Sequence, residues 1–275
     1  MTGRIIGFIG AGNMARSLAG GLLANGWPKQ DLILSDPEAD QRTRVSQTMG
    51  LAAVENNSEV ADRADVLVLA TKPQLLKAVA DGIAASVQKT RPLVISIAAG
   101  VRIDDLQRWL GGNLAIVRVM PNTASLIGSG AAGLFANTFA TQSQRDEAES
   151  ILRAVGVTAW VETEDLIDAV TAISGSGPAY FFLVMEELER AAVAHGLDAA
   201  TARLLTLETA YGAAKMALEG GEEPGQLRRR VTSPGGTTER AIQALEAGHI
   251  GELFDNAVTA AVRRARELAD ILGRQ

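Results

Sequence analysis

Arg4-Ile5-Ile6-Gly7-Phe8-Ile9-Gly10-Ala11-Gly12-Asn13-Met14-Ala15 joins a short apolar run with a β-branched bias to a glycine turn. Such a run suits a parallel strand covered on both faces. A Leu- and Ala-rich helix follows to about Asn25-Gly26, where the glycine makes an apt C-terminal stop. A second strand, Leu32-Ile33-Leu34-Ser35-Asp36, comes next. Strand, glycine turn, helix and strand form a dinucleotide-binding unit, here with the spacing G-x-G-x-x-A. That spacing alone is a weak signal; the strand before it and the helix after it make it a strong one. The turn directs unpaired N–H groups and the positive end of a helix at an anion, here a cofactor pyrophosphate.

The alternation continues. A helix from Asp40 to Met49 precedes the strand Val66–Ala70, which ends in Thr71-Lys72-Pro73. After a helix over about 74–86, the strand Leu93–Ile97 ends in Ala98-Ala99-Gly100, and Ala115–Val119 ends in Met120-Pro121-Asn122-Thr123. Gly128–Phe135 and Val157–Val161 read as two further strands around a polar helix at about 142–155. This pattern predicts an α/β fold, an open and mostly parallel sheet with helices on both faces. Ligands of such sheets bind beyond the strand C-termini, where these loops fall.

From Leu166 the composition changes to long helical patterns, roughly 166–194, 199–219, 224–231, 237–247 and 250–272. The domain boundary is therefore placed near Glu164, giving a Rossmann-like domain over 1–164 and an all-α domain over 165–275. Pro178, within Ser174-Gly175-Ser176-Gly177-Pro178-Ala179-Tyr180, should break or kink the first of these helices. The helix over 203–218 is apolar on most faces and must be covered; a second subunit is the natural cover.

A second anion site lies in Val231-Thr232-Ser233-Pro234-Gly235-Gly236-Thr237-Thr238-Glu239. A Pro-Gly-Gly turn runs into a helix carrying Ala241, Ile242 and Leu245, with Ser and Thr at capping positions. Residues 233–238 thus offer bare N–H groups and three hydroxyls, suited to a substrate carboxylate. Capping accounts for one hydroxyl only.

Composition excludes several chemistries. With no cysteine, disulfides, thiolate catalysis and cysteine zinc sites are out, and two histidines, His195 and His249, are too few for a metal cluster. No metal is expected. A formal charge of −6 argues against nucleic acid as partner. No stretch reaches the roughly 18 to 20 apolar residues that a membrane span needs, and the start of the chain lacks a signal-peptide layout, so the expected location is the cytoplasm.

The chain strongly resembles the Δ1-pyrroline-5-carboxylate reductase family. The resemblance rests on residues 7–15, Ala70-Thr71-Lys72-Pro73, Asp165-Leu166-Ile167-Asp168-Ala169-Val170-Thr171, Ser174–Tyr180, Ser233-Pro234-Gly235-Gly236-Thr237-Thr238, and the ending from Asn256-Ala257-Val258 to Arg266-Glu267-Leu268. The resemblance implies hydride transfer from NAD(P)H to a cyclic imine carrying a carboxylate, giving L-proline. It also implies a homodimer built through the C-terminal helices, often assembled further into rings, with an active site shared between subunits. Ile9, Gly10, Ala11, Gly12, Asn13 and Met14 would approach the pyrophosphate. Asn57 and Ala70, Thr71, Lys72 and Pro73 would lie near ribose and adenine, and Ile97, Ala98 and Ala99 on the nicotinamide side. Ser233, Gly236, Thr237 and Thr238 would bind substrate, with Thr238 as the catalytic hydroxyl on the imine nitrogen. Glu164 matches a carboxylate the family places near proline, although Glu162-Thr163-Glu164 also reads as a solvated turn. Arg230, in the basic run 228–230, would meet the anionic cofactor across the dimer.

Asp36 closes the second strand, where an acidic group takes ribose hydroxyls and repels a 2′-phosphate. Arg42 and Arg44 lie close enough in sequence to offset it, so NADH and NADPH both stay open as cofactors. One rival is a β-hydroxyacid dehydrogenase, but Gly212-Ala213-Ala214-Lys215 lacks the asparagine of that class's Gly-x-x-x-Asn-Lys motif. Another is a nicotinamide-binding protein without catalysis; intact hydroxyls and glycines at both anion sites argue against it.

Overall fold

In the strand Ile6–Ile9 every side chain is buried, because alternate residues face helices on opposite sides of one sheet. The computed structural model describes residues 3–274. Its elements alternate as β1 (Ile6–Ile9), α1 (Asn13–Ala24), β2 (Leu32–Ser35), α2 (Ala39–Met49), β3 (Ala52–Val54), α3 (Asn57–Ala61), β4 (Val66–Leu69), α4 (Pro73–Thr90) and β5 (Leu93–Ser96). They continue as α5 (Ile103–Leu110), β6 (Ile116–Met120), β7 (Gly130–Ala136), α6 (Gln142–Arg153) and β8 (Gly156–Trp160). The eight strands lie in the order β3-β2-β1-β4-β5-β6-β7-β8, all neighbours parallel except β6 with β7. Ile6, Phe8, Leu34, Val68 and Ile95 pack with α1 and α6 on one face. Ile9, Ile33, Leu67, Leu69 and Val94 pack with α3, α4 and α5 on the other.

The helical part comprises α7 (Leu166–Val170), α8 (Gly177–Ala194), α9 (Ala199–Glu219), α10 (Pro224–Arg230), α11 (Thr237–Ala247) and α12 (Ile250–Gly273). The expected break at Pro178 takes a specific form. Residues Thr171–Gly175 form a π turn, the Ser176 N–H reaches back to the Thr171 carbonyl at 2.8 Å, and α8 restarts at Gly177. Pro178 then stands in the first turn of a helix, where its missing N–H costs nothing.

By contacts, the chain forms two compact units. One runs to Ser176 and regains the chain from Ala260 onward; the other is Gly177–Thr259. The expected division at Glu164 falls inside the first unit. Ile167 and Ala172 are buried there, and Val170 lies against β7, where a Cβ on Gly133 would meet its methyl groups at 2.6 Å. The returning part of α12 buries Ala265, Ala269 and Leu272, and a Cβ at Gly100 would meet Leu272 at 3.2 Å.

In the second unit few side chains are buried: α10 and α11 have none. Phe181, Phe182, Leu183, Leu204, Leu205, Tyr211 and Leu218 stand exposed on α8 and α9. Against expectation, the helical stretch Leu166–Ala194 is long and apolar enough, by length and composition, to cross a membrane. Within it, the segment Ser174-Gly175-Ser176-Gly177-Pro178 interrupts the apolar run.

Candidate active site

The strand order reverses between β1 and β4, and the loops after these strands meet at that point. Gly10 adopts a left-handed backbone, φ +98°, and a Cβ there would lie 2.8 Å from the Ala70 carbonyl oxygen and 3.2 Å from the Thr71 methyl. Only glycine fits. At Gly12 a Cβ would meet nothing within 4 Å, so the space before the start of α1 is open. No side chain caps α1, whose N-cap is Gly12. Its first N–H groups remain available to an anion. The Thr71 hydroxyl is buried without a partner in the same crevice, as expected of a group held for a ligand. These features fit a nicotinamide dinucleotide.

The other expected cofactor residues divide by what they can offer. Ile9 and Ala98 are buried in the core, so only their backbone could meet a ligand; the Ile9 carbonyl accepts the Ala70 N–H at 2.8 Å. Lys72 is exposed at the N-cap of α4, with Pro73 as the first helical residue. Ala99 is exposed, and Ile97 and Met14 are partly buried against the core. Asn57 opens α3, and its side-chain oxygen accepts the Ser35 hydroxyl at 2.8 Å. Asn56, not Asn57, caps that helix, accepting from the Ser58 N–H at 2.9 Å.

Asp36 is tied into the glycine turn. Its Oδ2 accepts the Ala11 N–H at 2.8 Å and its Oδ1 the Glu38 N–H at 3.0 Å. Arg42 donates to the carbonyls of Asp36 (2.9 Å) and Pro37 (2.8 Å) and pairs with Glu55 at 3.5 Å. Arg16 was not singled out in the sequence. It spans the turn, donating to the Ala11 carbonyl (2.6 Å), Gln41 Oε1 (2.5 Å) and Asn13 Oδ1 (2.6 Å). Its one sequence signal is its place four residues after Gly12.

Glu164 lies in a charge cluster in the first unit, not in a solvated turn. Its Oε1 accepts from Arg118 at 2.9 Å and from the Ile103 N–H, at the start of α5, at 2.8 Å. Arg118, 3% exposed on β6, also lies 3.8 Å from Asp168, whose other oxygen lies 3.8 Å from Arg266. Burial pushes the Asp168 carboxyl above its ordinary value, against the pull of Arg118, Arg102 and Arg266. An arginine in an apolar strand run must find carboxylates. That signal was present in Ile116-Val117-Arg118-Val119.

In the second unit, Gly235 takes a left-handed backbone, φ +71°, and Gly236 is the N-cap of α11. Neither Ser233 nor any threonine caps this helix. The N–H groups of Gly236, Thr237 and Thr238 are those placed to hold an anion, but that of Gly236 is engaged by the Ser233 carbonyl at 3.0 Å. Those of Thr237 and Thr238 stand at the uncapped helix start. Glu239 folds back so that its Oε2 accepts the Gly235 N–H at 2.9 Å. Arg230 is ion-paired with Glu222 and Arg228 with Glu246. Among the described residues no His, Cys, Asp and Glu cluster could hold a metal.

A mostly parallel sheet with a glycine crevice at its switch point is the architecture of the dinucleotide-binding proteins. Comparison with known proteins narrows the class. Residues 164–268 match the family model described as pyrroline-5-carboxylate reductase dimerisation, and residues 5–100 match that described as NADP oxidoreductase, coenzyme F420-dependent. The chain is 49% identical to the pyrroline-5-carboxylate reductase of Pseudomonas aeruginosa over 268 residues, covering 98% of each. The structure of a pyrroline-5-carboxylate reductase from Coxiella burnetii superposes with a TM-score of 0.94 at 48% identity, covering 97% of this chain and 98% of that one. The Plasmodium falciparum pyrroline carboxylate reductase, solved with NADP bound, gives 0.85 at 31%, covering 98% and 99%. The chain belongs to the pyrroline-5-carboxylate reductase family, and its N-terminal part is an NAD(P)-binding domain.

Proposed function

We propose that this chain reduces Δ1-pyrroline-5-carboxylate to L-proline, the first unit holding NAD(P)H and the 233–238 loop holding the substrate carboxylate. The observation that carries the residue assignment is the start of α11: a Pro-Gly-Gly turn, three hydroxyls and no side-chain cap. The N–H groups of Thr237 and Thr238 and the Ser233 hydroxyl bind the carboxylate, and Gly236 keeps the approach clear of a side chain. Thr238 Oγ1 hydrogen-bonds the imine nitrogen. The crevice around Gly10, Gly12, Asn13 and Thr71 binds and orients the dinucleotide, with Ile97–Ala99 on the nicotinamide side. When bound, the dinucleotide supplies the hydride. Glu164 supports the 97–99 loop indirectly, fixing the start of α5 through the Ile103 N–H. No thiol or imidazole is required, since an imine nitrogen takes up a proton readily.

The division at 164/165 is proposed as the functional one, with the C-terminal part closing a homodimer through the exposed faces of α8 and α9. Dimers assemble further into rings, and the enzyme works in the cytoplasm. The test is oxidation of reduced cofactor with the pyrroline substrate and formation of L-proline. Thr238→Ala should lower turnover at least tenfold with little change in cofactor affinity. Unchanged turnover would remove Thr238 from the chemistry, and absence of L-proline would remove the reductase reading.

A further inference from the structure

We propose that this chain favours NADH over NADPH and that Asp36 sets the preference; the inference rests on the dinucleotide reading of the first unit. Both oxygens of Asp36 are fixed beside the glycine turn by the Ala11 and Glu38 N–H groups. A carboxylate oxygen accepts more than one hydrogen bond, so this rigid group still offers acceptors to a ribose diol. Toward a 2′-phosphate it offers like charge.

The local arginines do not offset it, and Lys72, exposed at the N-cap of α4, brings a point charge and no guanidinium fork. Arg42 is directed into the carbonyls of Asp36 and Pro37 and onto Glu55. Arg16 is held by Ala11, Gln41 and Asn13. Arg44 lies two residues beyond Arg42, about 200° around α2, on another face of that helix. The groove beside the β2 and β3 ends is lined by Pro37, Glu55, Asn57 and Val79; it carries a second carboxylate and no cationic side chain. A 2′-phosphate is held best by a free guanidinium fork, which binds it in bidentate fashion where a lysine offers only a point charge. Here each nearby fork is either occupied or on another face.

The test measures kcat/KM for NADH and NADPH with the pyrroline substrate. In parallel, it measures the Kd of each from dihydronicotinamide fluorescence without substrate. The parent protein should favour NADH by roughly tenfold in both, and the margin should shrink as salt is added. Asp36→Asn should bring the ratio toward parity, mainly through tighter NADPH binding. Asp36→Ser should do the same while keeping a hydroxyl acceptor for the Glu38 N–H. Equal use of both cofactors, or NADPH preference, in the parent overturns the proposal. So does a folded Asn or Ser variant that keeps the parent ratio. Turnover with neither cofactor overturns the reductase reading instead, and the Kd ratio then decides the preference by itself.

Discussion

Single atoms decide most of what the crevice can do. Gly10 needs both its left-handed backbone and its missing Cβ, since the Ala70 carbonyl stands 2.8 Å from where a Cβ would go. Gly10→Ala should weaken NAD(P)H binding at least tenfold and destabilise the fold by about 1–3 kcal/mol; a cofactor titration and a urea melt check it. Asp168 makes the opposite kind of statement, about pH. Its folded-state value stands above its ordinary 3.8 because burial outweighs three arginines. Its contribution to stability is therefore fully present below the unfolded value and is lost as the pH rises through the raised one. Asp168→Asn, neutral throughout, should flatten unfolding free energy against pH over the window that begins near 3.8 and extends upward. An unchanged profile would move the titration to another group. Glu147 has the same sign, with burial outweighing Arg4.

Elements differed in how far they could be read from the chain. β1, α1, β2, β4 and β5 were legible because each is a buried apolar run or a periodic helix bounded by glycine or proline. The three residues of β3 and five of α3 are too short for periodicity to register, and β3 is only half-buried. α5, with Asp104 and Asp105 in its first turn, has no counterpart among the expected helices. Both glycine turns were legible because their residue types are rare in combination, yet the bonding state of each N–H was not. That Gly236 donates to Ser233, or that Asp36 closes on Ala11, depends on backbone angles that residue identity leaves open. Glu164 shows the same limit: a Glu-Thr-Glu turn looks solvated until β6 brings Arg118 to it from 46 residues away.

At the scale of the whole molecule, the second unit leaves a broad apolar surface on α8 and α9, with Phe181 and Phe182 more than 60% exposed in the single chain. Surfaces of that kind mark an interface, consistent with the dimerisation model matched here. Charging it, by Phe182→Glu with Leu205→Glu, should convert dimer to monomer in sedimentation and abolish activity while cofactor binding by the first unit persists. A dimer that survives both changes would place the interface elsewhere. The connectivity of α12 has a consequence for biosynthesis. The helix starts in one unit and ends in the other, so Ala265, Ala269 and Leu272 reach the nucleotide-binding unit only after everything between has been made. During synthesis the whole sheet is therefore made about a hundred residues before the side chains that cover Gly100. That cover arrives only with α12.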